Sequence, residues 1–264
     1  SGFYAPGRGT AKYPELWRDC VGAWNPGLGN SGLVLRDWSG RGNNGVLTNG
    51  PTWGVSGGRQ ALSFDGVDDY VITASSPIAA LSNWSYSCWF KSRTTATQCV
   101  ISQYTSGAAG RWSILANYNL VGGGNDPGTL ATGEVVASGP YLGGSGIAAN
   151  VWEHVVVVGS GATMLIYLNG ALLASTTYSV TILSAPLVIG RLGNLATFHF
   201  NGLIDDIRAW SQALSAPQIR LLATRPGIAY ELAPRKVYSL PAAVGTYKPY
   251  LQNYRSQIIG GGLK

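Results

Sequence analysis

Tyr167-Leu168-Asn169-Gly170-Ala171-Leu172-Leu173 is the stretch on which the fold class turns. Asn-Gly accepts positive φ at both central positions of a type I′ turn, whose twist matches that of paired strands. Apolar residues continue on either side, so the segment reads as a β-hairpin with arms at 163–168 and 171–176. Just upstream, Val155-Val156-Val157-Val158 is apolar without alternation, as in a strand buried on both faces. The same reading carried outward places strands near 33–37, 61–65, 69–73, 84–91, 98–104, 111–118, 153–159, 186–190 and 202–210. Roughly eleven short strands separated by Gly, Asn, Asp and Ser clusters predict an all-β fold, a sandwich or jelly roll. One helix is expected over 215–224, with Ser215 as its cap, Pro217 in its first turn and Pro226-Gly227 behind it.

Composition supports this class and removes others. The chain has 264 residues, 45% of them hydrophobic and only 11% charged, which argues against disorder. Its 37 Gly and 13 Pro would interrupt a helical bundle. No apolar run approaches the roughly 20 residues of a membrane helix, so no membrane partner is expected. Residues 119–150, nearly all Gly, Ala, Ser, Leu and Val, read as an excursion between strands.

Four ordered passages resemble the laminin-G-like, concanavalin A-like jelly-roll family. Asp37-Trp38-Ser39-Gly40-Arg41-Gly42-Asn43-Asn44-Gly45 is similar to its opening D-x-S-G-x-G-N-x-G. Leu62-Ser63-Phe64-Asp65-Gly66-Val67-Asp68-Asp69-Tyr70-Val71 resembles L-x-F-D-G-x-x-D-Y-V. Trp152-Glu153-His154-Val155 with Ile166–Gly170, and Phe200-Asn201-Gly202-Leu203-Ile204-Asp205-Asp206-Ile207-Arg208-Ala209-Trp210, complete the set. The likeness spans 21–224, leaving 1–20 as an N-terminal arm and 225–264 as an extended C-terminal arm. The flanks, Tyr13–Trp24 and Ser256–Gly262, resemble the ends of virion structural proteins of tailed bacteriophages. That likeness implies a non-catalytic virion component, a capsid decoration, fibre or tail protein, located in the virion. The alternative is a secreted or cell-surface carbohydrate-binding module.

Strand alternation puts Asp205 on the face of Leu203 and Ile207, and Asp206 on that of Ile204 and Trp210. Both faces are apolar, so a buried carboxylate needs a partner: a hard cation, an arginine or backbone amides. Members of the resembled family hold Ca²⁺ with acidic residues and loop carbonyls, which nominates Asp37, Asn44 and Asp205 as calcium ligands. Asp65, Asp68 and Asp69 lack the ligand spacing of an EF-hand and read as a tight turn. Glycoside hydrolysis needs two carboxylates across a sugar, and no Glu-x-Asp or Glu-x-Glu occurs, so an enzyme is not expected. His154 and His199 read as packing residues, having no partner for a triad or a zinc site. Cys88 and Cys99 lie on successive strands as a facing pair or as two buried thiols. Trp38, Trp53, Trp84, Trp112 and Tyr118 are the aromatic candidates for a sugar platform.

The charge is uneven. Residues 225–264 hold six cations against Glu231 alone, a net +5, which leaves +1 of the total +6 for the rest. Five Tyr and four Pro alternate with those cations. About one cation in seven residues is too sparse for a phosphate-tracking strand, so nucleic acid is not the expected partner. The expected partners of both arms are other virion proteins or copies of this chain, with a glycan as a further ligand of the sandwich.

Overall fold

The computed structural model describes residues 10–29, 32–105, 111–118, 125–133, 141–177, 182, 184–195 and 197–234. Its early strands are β1 (Cys20–Trp24), β2 (Val34–Leu35), β3 (Gly45–Thr48), β4 (Thr52–Ser56), β5 (Arg59–Asp65), β6 (Tyr70–Thr73), β7 (Asn83–Ser92) and β8 (Gln98–Gln103). They are followed by β9 (Trp112–Tyr118), β10 (Asn125–Gly133), β11 (Tyr141–Ser145), β12 (Glu153–Ser160), β13 (Thr163–Leu168), β14 (Ala171–Thr176), β15 (Val188–Ile189) and β16 (Asn201–Trp210). One sheet runs β14-β13-β12-β7-β16-β5-β4, with β1 beside the second half of β16; the other runs β11-β10-β9-β8-β15-β6-β3-β2. The two sheets stack as an antiparallel jelly-roll sandwich, as the sequence predicts.

The hairpin that decides the fold class forms at its expected place. Asn169 and Gly170 take φ of +51° and +82°, and β13 pairs with β14 from Leu168 opposite Ala171 onward. Val155 and Val157 face the core between the sheets, while Val156 and Val158 face an outer layer, so β12 is buried on both sides. Three aromatic rings fill the centre. Tyr86 stacks on Trp112 at 4.7 Å, and Trp84 meets the Trp112 ring edge-on at 5.4 Å. The Trp112 indole donates to Thr132 Oγ1 at 2.8 Å, which satisfies its only polar atom.

Residues 119–150 contain two strands that the sequence reading left within an excursion. β10 and β11 pair with each other, and β10 also pairs with β9, so the second sheet extends by two strands. Small residues are required there rather than merely permitted. A Cβ on Gly143 would lie 2.1 Å from the Leu130 carbonyl oxygen, and one on Gly144 would lie 3.1 Å from Leu173 Cδ1.

An outer layer packs on the first sheet over Val156, Val158 and Trp210. Helix α1 (Ala216–Leu222) begins where Ser215 N donates to Gln218 Oε1 at 2.9 Å, and it turns Ile219 and Leu222 inward. Leu16, Trp17, Leu214 and Ile228 pack beside them on Val156, Val158 and Trp210. Residues 10–20 and 225–233 therefore pack with the sandwich. They are also joined: Lys12 N donates to Glu231 O and Ala233 N to Thr10 O, each at 2.8 Å. The remainder of the expected arms, residues 1–9 and all beyond Pro234, lies outside the described residues. Contacts divide the chain into a body, Ser1–Ala233, and a second unit, Pro234–Lys264.

Trp112→Ala removes a fully buried ring, its hydrogen bond and its stacking partners. It should lower unfolding free energy by about 3–5 kcal/mol, read as a shifted urea midpoint.

Candidate binding face

The outer surface of the first sheet is organised by one extra residue in β16. Opposite β7, Asp205 pairs with Trp89 but Arg208 pairs with Ser87, so three steps on one strand meet two on the other. Asp206 absorbs the surplus at φ +45°, in the left-handed region that Asp tolerates better than most residues. Simple alternation places Asp205 and Asp206 on opposite faces, and the bulge corrects that expectation. Ile204, Ile207 and Ala209 all point into the core, while Arg208 and Trp210 point outward.

Asp206 and Arg208 then form a buried ion pair, with Nε 2.9 Å from Oδ1 and both side chains almost fully covered. Gly227 N, released by a φ of +73°, donates to Asp206 Oδ2 at 2.7 Å and ties the C-terminal end of the body to the pair. The Arg208 guanidinium lies 4.2 Å from the Tyr230 ring and 5.1 Å from that of Trp17. Burial beside this cluster pushes the Cys20 thiol up to about 12, so it is inert at neutral pH. Cys88 and Cys99 are likewise buried free thiols, with acidities suppressed by burial.

One residue earlier the same face approaches solvent. Asp205 accepts from Asp206 N at 2.7 Å and sits 3.9 Å from Arg59 Nε. Arg59 rises from the start of β5 between two indoles, 5.0 Å from Trp89 and 4.4 Å from Trp152. Trp89 is buried, whereas Trp152 and Arg59 remain half-exposed. Lys91 and Arg93 continue the row: Lys91 Nζ reaches Ser56 Oγ at 3.4 Å, and Arg93 reaches Ser63 Oγ at 2.9 Å. The surface thus offers a flat, apolar ring flanked by cations over a hidden carboxylate. Burial, reinforced by the neighbouring Asp206, pushes the Asp205 carboxyl up to about 7. His154, against Trp89 at 5.0 Å, is pushed down to about 3 by burial and is neutral.

Asp37 and Asn44 come together in the loop after β2, away from Asp205. Asp37 accepts from Ala23 N, Ser39 N, Ser39 Oγ and Asn43 N at 2.8–3.0 Å, which fills its lone-pair sites. Asn44 Oδ1 accepts from Asp37 N at 2.9 Å. Trp24 pairs both with Asp37 and with Ile207, so β1 stands between this loop and β16. The D-x-S-G-x-G-N motif accordingly builds a loop, and as arranged it leaves a cation no unshared oxygen on Asp37. Among the described residues, the carboxylate oxygens that converge as a group of three are those of Asp65, Asp68 and Asp69, within 4.8 Å of one another. They hold a tight turn: Val67 N donates to Asp65 and Asp65 N to Asp69, at 2.8 and 2.9 Å.

Among the aromatic candidates, Trp84 and Trp112 are core and Tyr118 is buried, while Trp38 and Trp53 are half-buried. The sequence reading missed Arg59, Trp89 and Trp152 as a group. The available signal was alternation: Arg59 shares a face with Ala61 and Ser63, opposite core-facing Leu62 and Phe64.

Residues 65–220 match the family model described as the concanavalin A-like lectin/glucanases superfamily. The chain belongs to this superfamily. No curated protein sequence matches it significantly. Several solved structures align over most of its length. Domain 4 of an extracellular arabinanase from Geobacillus stearothermophilus, solved with arabinotriose, is 18% identical with a TM-score of 0.62, covering 78% of this chain and 98% of that one. The botulinum neurotoxin type G receptor-binding domain is 14% identical with a TM-score of 0.58, and covers 78% and 51%. The binding domain of a Paraclostridial mosquitocidal protein is 13% identical with a TM-score of 0.58, and covers 79% and 52%. The chain spans about half the length of those toxin domains, and at these identities the likeness is one of fold.

Asp205 and His154 tilt stability in opposite senses. A raised carboxyl lets the folded state bind the extra proton, so Asp205 favours folding below its ordinary 3.8 and that benefit fades as pH rises to about 7. A depressed histidine makes the folded state bind fewer protons, so His154 disfavours folding in acid and that penalty fades as pH rises from about 3 to 6.5. Between pH 4 and 6.5, Asp205→Asn should therefore gain stability with rising pH relative to wild type, and His154→Asn should lose it. Urea titrations at stepped pH read both slopes, and identical slopes would contradict the assignment.

Proposed function

We propose that this protein is a non-catalytic, lectin-like display module that binds carbohydrate on the outer face of its first sheet. The observation that carries this reading is Arg59 held between Trp89 and half-exposed Trp152, with Asp205 beneath. An indole face packs against the C–H surface of a sugar ring, and a positioned guanidinium donates to hydroxyl oxygens. The carboxylates on this face serve other ends: Asp206 is spent on Arg208 and Gly227 N, and Asp205 lies under Arg59. That supports binding over hydrolysis, which needs two carboxyl groups free to face a substrate. The sandwich of an arabinanase domain solved with arabinotriose, and those of toxin receptor-binding domains, support the same reading by analogy of fold.

Trp152→Ala should reduce glycan binding at least tenfold while leaving the unfolding midpoint nearly unchanged. Isothermal titration with the best ligand from a glycan array measures this. Silence of the wild type across the array would remove the reading.

A second reading concerns where the module is carried, and it complements the first. The chain serves as a virion structural protein, anchored through its ends, rather than as a secreted or cell-surface module. It is favoured by the pairing of Thr10 with Ala233, which brings the first and last parts of the described body side by side. The segment 234–264 carries most of the basic, Tyr- and Pro-rich composition of the expected C-terminal arm. Removing residues 235–264 should leave the body's thermal midpoint intact and abolish incorporation into particles; unchanged incorporation would exclude this anchoring.

A further inference from the structure

A cleft of about 770 Å³ opens where the β13–β14 turn meets helix α1, lined by Tyr167, Gly170, Leu172, Ala216, Arg220 and Thr224 among others. Its volume lies within the range of small-molecule sites, roughly 300–1,000 Å³. The walls are fixed by close packing. Gly170, at φ +82°, brings the turn so near the helix that a Cβ there would lie 3.1 Å from Ala223 Cβ and 3.3 Å from Arg220 Cα. Asn169, also on the wall, has its amide spent: Oδ1 accepts from His154 N at 2.8 Å and Nδ2 donates to Glu153.

The polarity of the lining is one-sided. Arg220 is exposed and makes no ion pair with any described residue, and no carboxylate is among the described residues that line the cleft. Leu172, Ala171, Ala216 and Ala223 supply apolar walls, and Tyr167 supplies a half-buried ring. The helix end offers Arg220 weak compensation, since a cation in the last turn faces the carbonyl end of the macrodipole. That interaction leaves the guanidinium fork open to an incoming carboxylate or sulfate.

Resting on the carbohydrate-binding reading, we infer that this cleft is a second saccharide site, selective for an anionic sugar. Tyr167 and the alanines take the apolar face of the ring, and Arg220 pairs with its carboxylate or sulfate group. The cleft is lined from β13, β14, α1 and the residues beside them, and Arg59, Trp89 and Trp152 are not among its lining residues.

The full chain and its Arg220→Gln and Trp152→Ala variants are applied to a glycan array bearing uronate, sialate, sulfated and neutral saccharides. Expected are signals on anionic glycans that fall more than tenfold in Arg220→Gln and persist in Trp152→Ala, with neutral signals behaving conversely. Whether the carboxylated or the sulfated spots respond identifies the anion. Amide shift perturbations centred on Gly170, Leu172 and Ala223, on adding the best anionic glycan, locate the site. Anionic signals unchanged in Arg220→Gln would overturn the cleft alone, leaving neutral binding at Trp152 in place. No saccharide signal of any kind would overturn both readings together.

Discussion

The extra residue at Asp206 is the constraint around which the first sheet is arranged. Without it, alternation would turn either Ile204 or Ile207 out of the core and drive a carboxylate in. With it, both isoleucines stay inside and both aspartates move to the outer face. That outward pair needs positive charge, which Arg208 and Arg59 supply from the two ends of the row. Arg208 in turn needs cover. Trp17 and Tyr230 provide it from segments almost at opposite ends of the body. Such a pair is weak support for net stability, because desolvating two ions offsets much of their attraction. Its role is better described as selecting one arrangement, since leaving either charge alone in that place costs about 3–5 kcal/mol.

Much of the sandwich was legible because its strands are strongly patterned. The apolar run of β12, the Asn-Gly turn and the cap, proline and apolar positions of α1 are local signals, and each formed where it was read. β10 and β11 were not legible, since Gly143-Gly144 and their neighbours carry no strand propensity. They are strands because two backbones and Leu173 approach too closely for larger side chains, a tertiary demand invisible along the chain.

The site residues divide the same way. Asp37 and Asn44 do come together, through hydrogen bonds with loop amides. Asp205 drew attention as a buried carboxylate, and its arginine partner comes from the far end of another strand. Nothing near Arg59 in sequence announces Trp89 or Trp152. Their meeting depends on β16 lying between β5 and β7 and on β12 flanking β7, and those neighbours are set by the jelly-roll crossovers.

The hydrogen bonds between Thr10 and Ala233 and between Lys12 and Glu231 have a mechanical consequence. Tension that draws Thr10 and Ala233 the same way puts no load across this short ladder or the Lys12–Glu231 ion pair. Tension that draws them apart opens the ladder one bond at a time, as a zip does, before any core strand is strained. The next element exposed is the lid of Trp17 and Tyr230 over Arg208. The clasp is thus a fuse, set to yield ahead of the domain it closes.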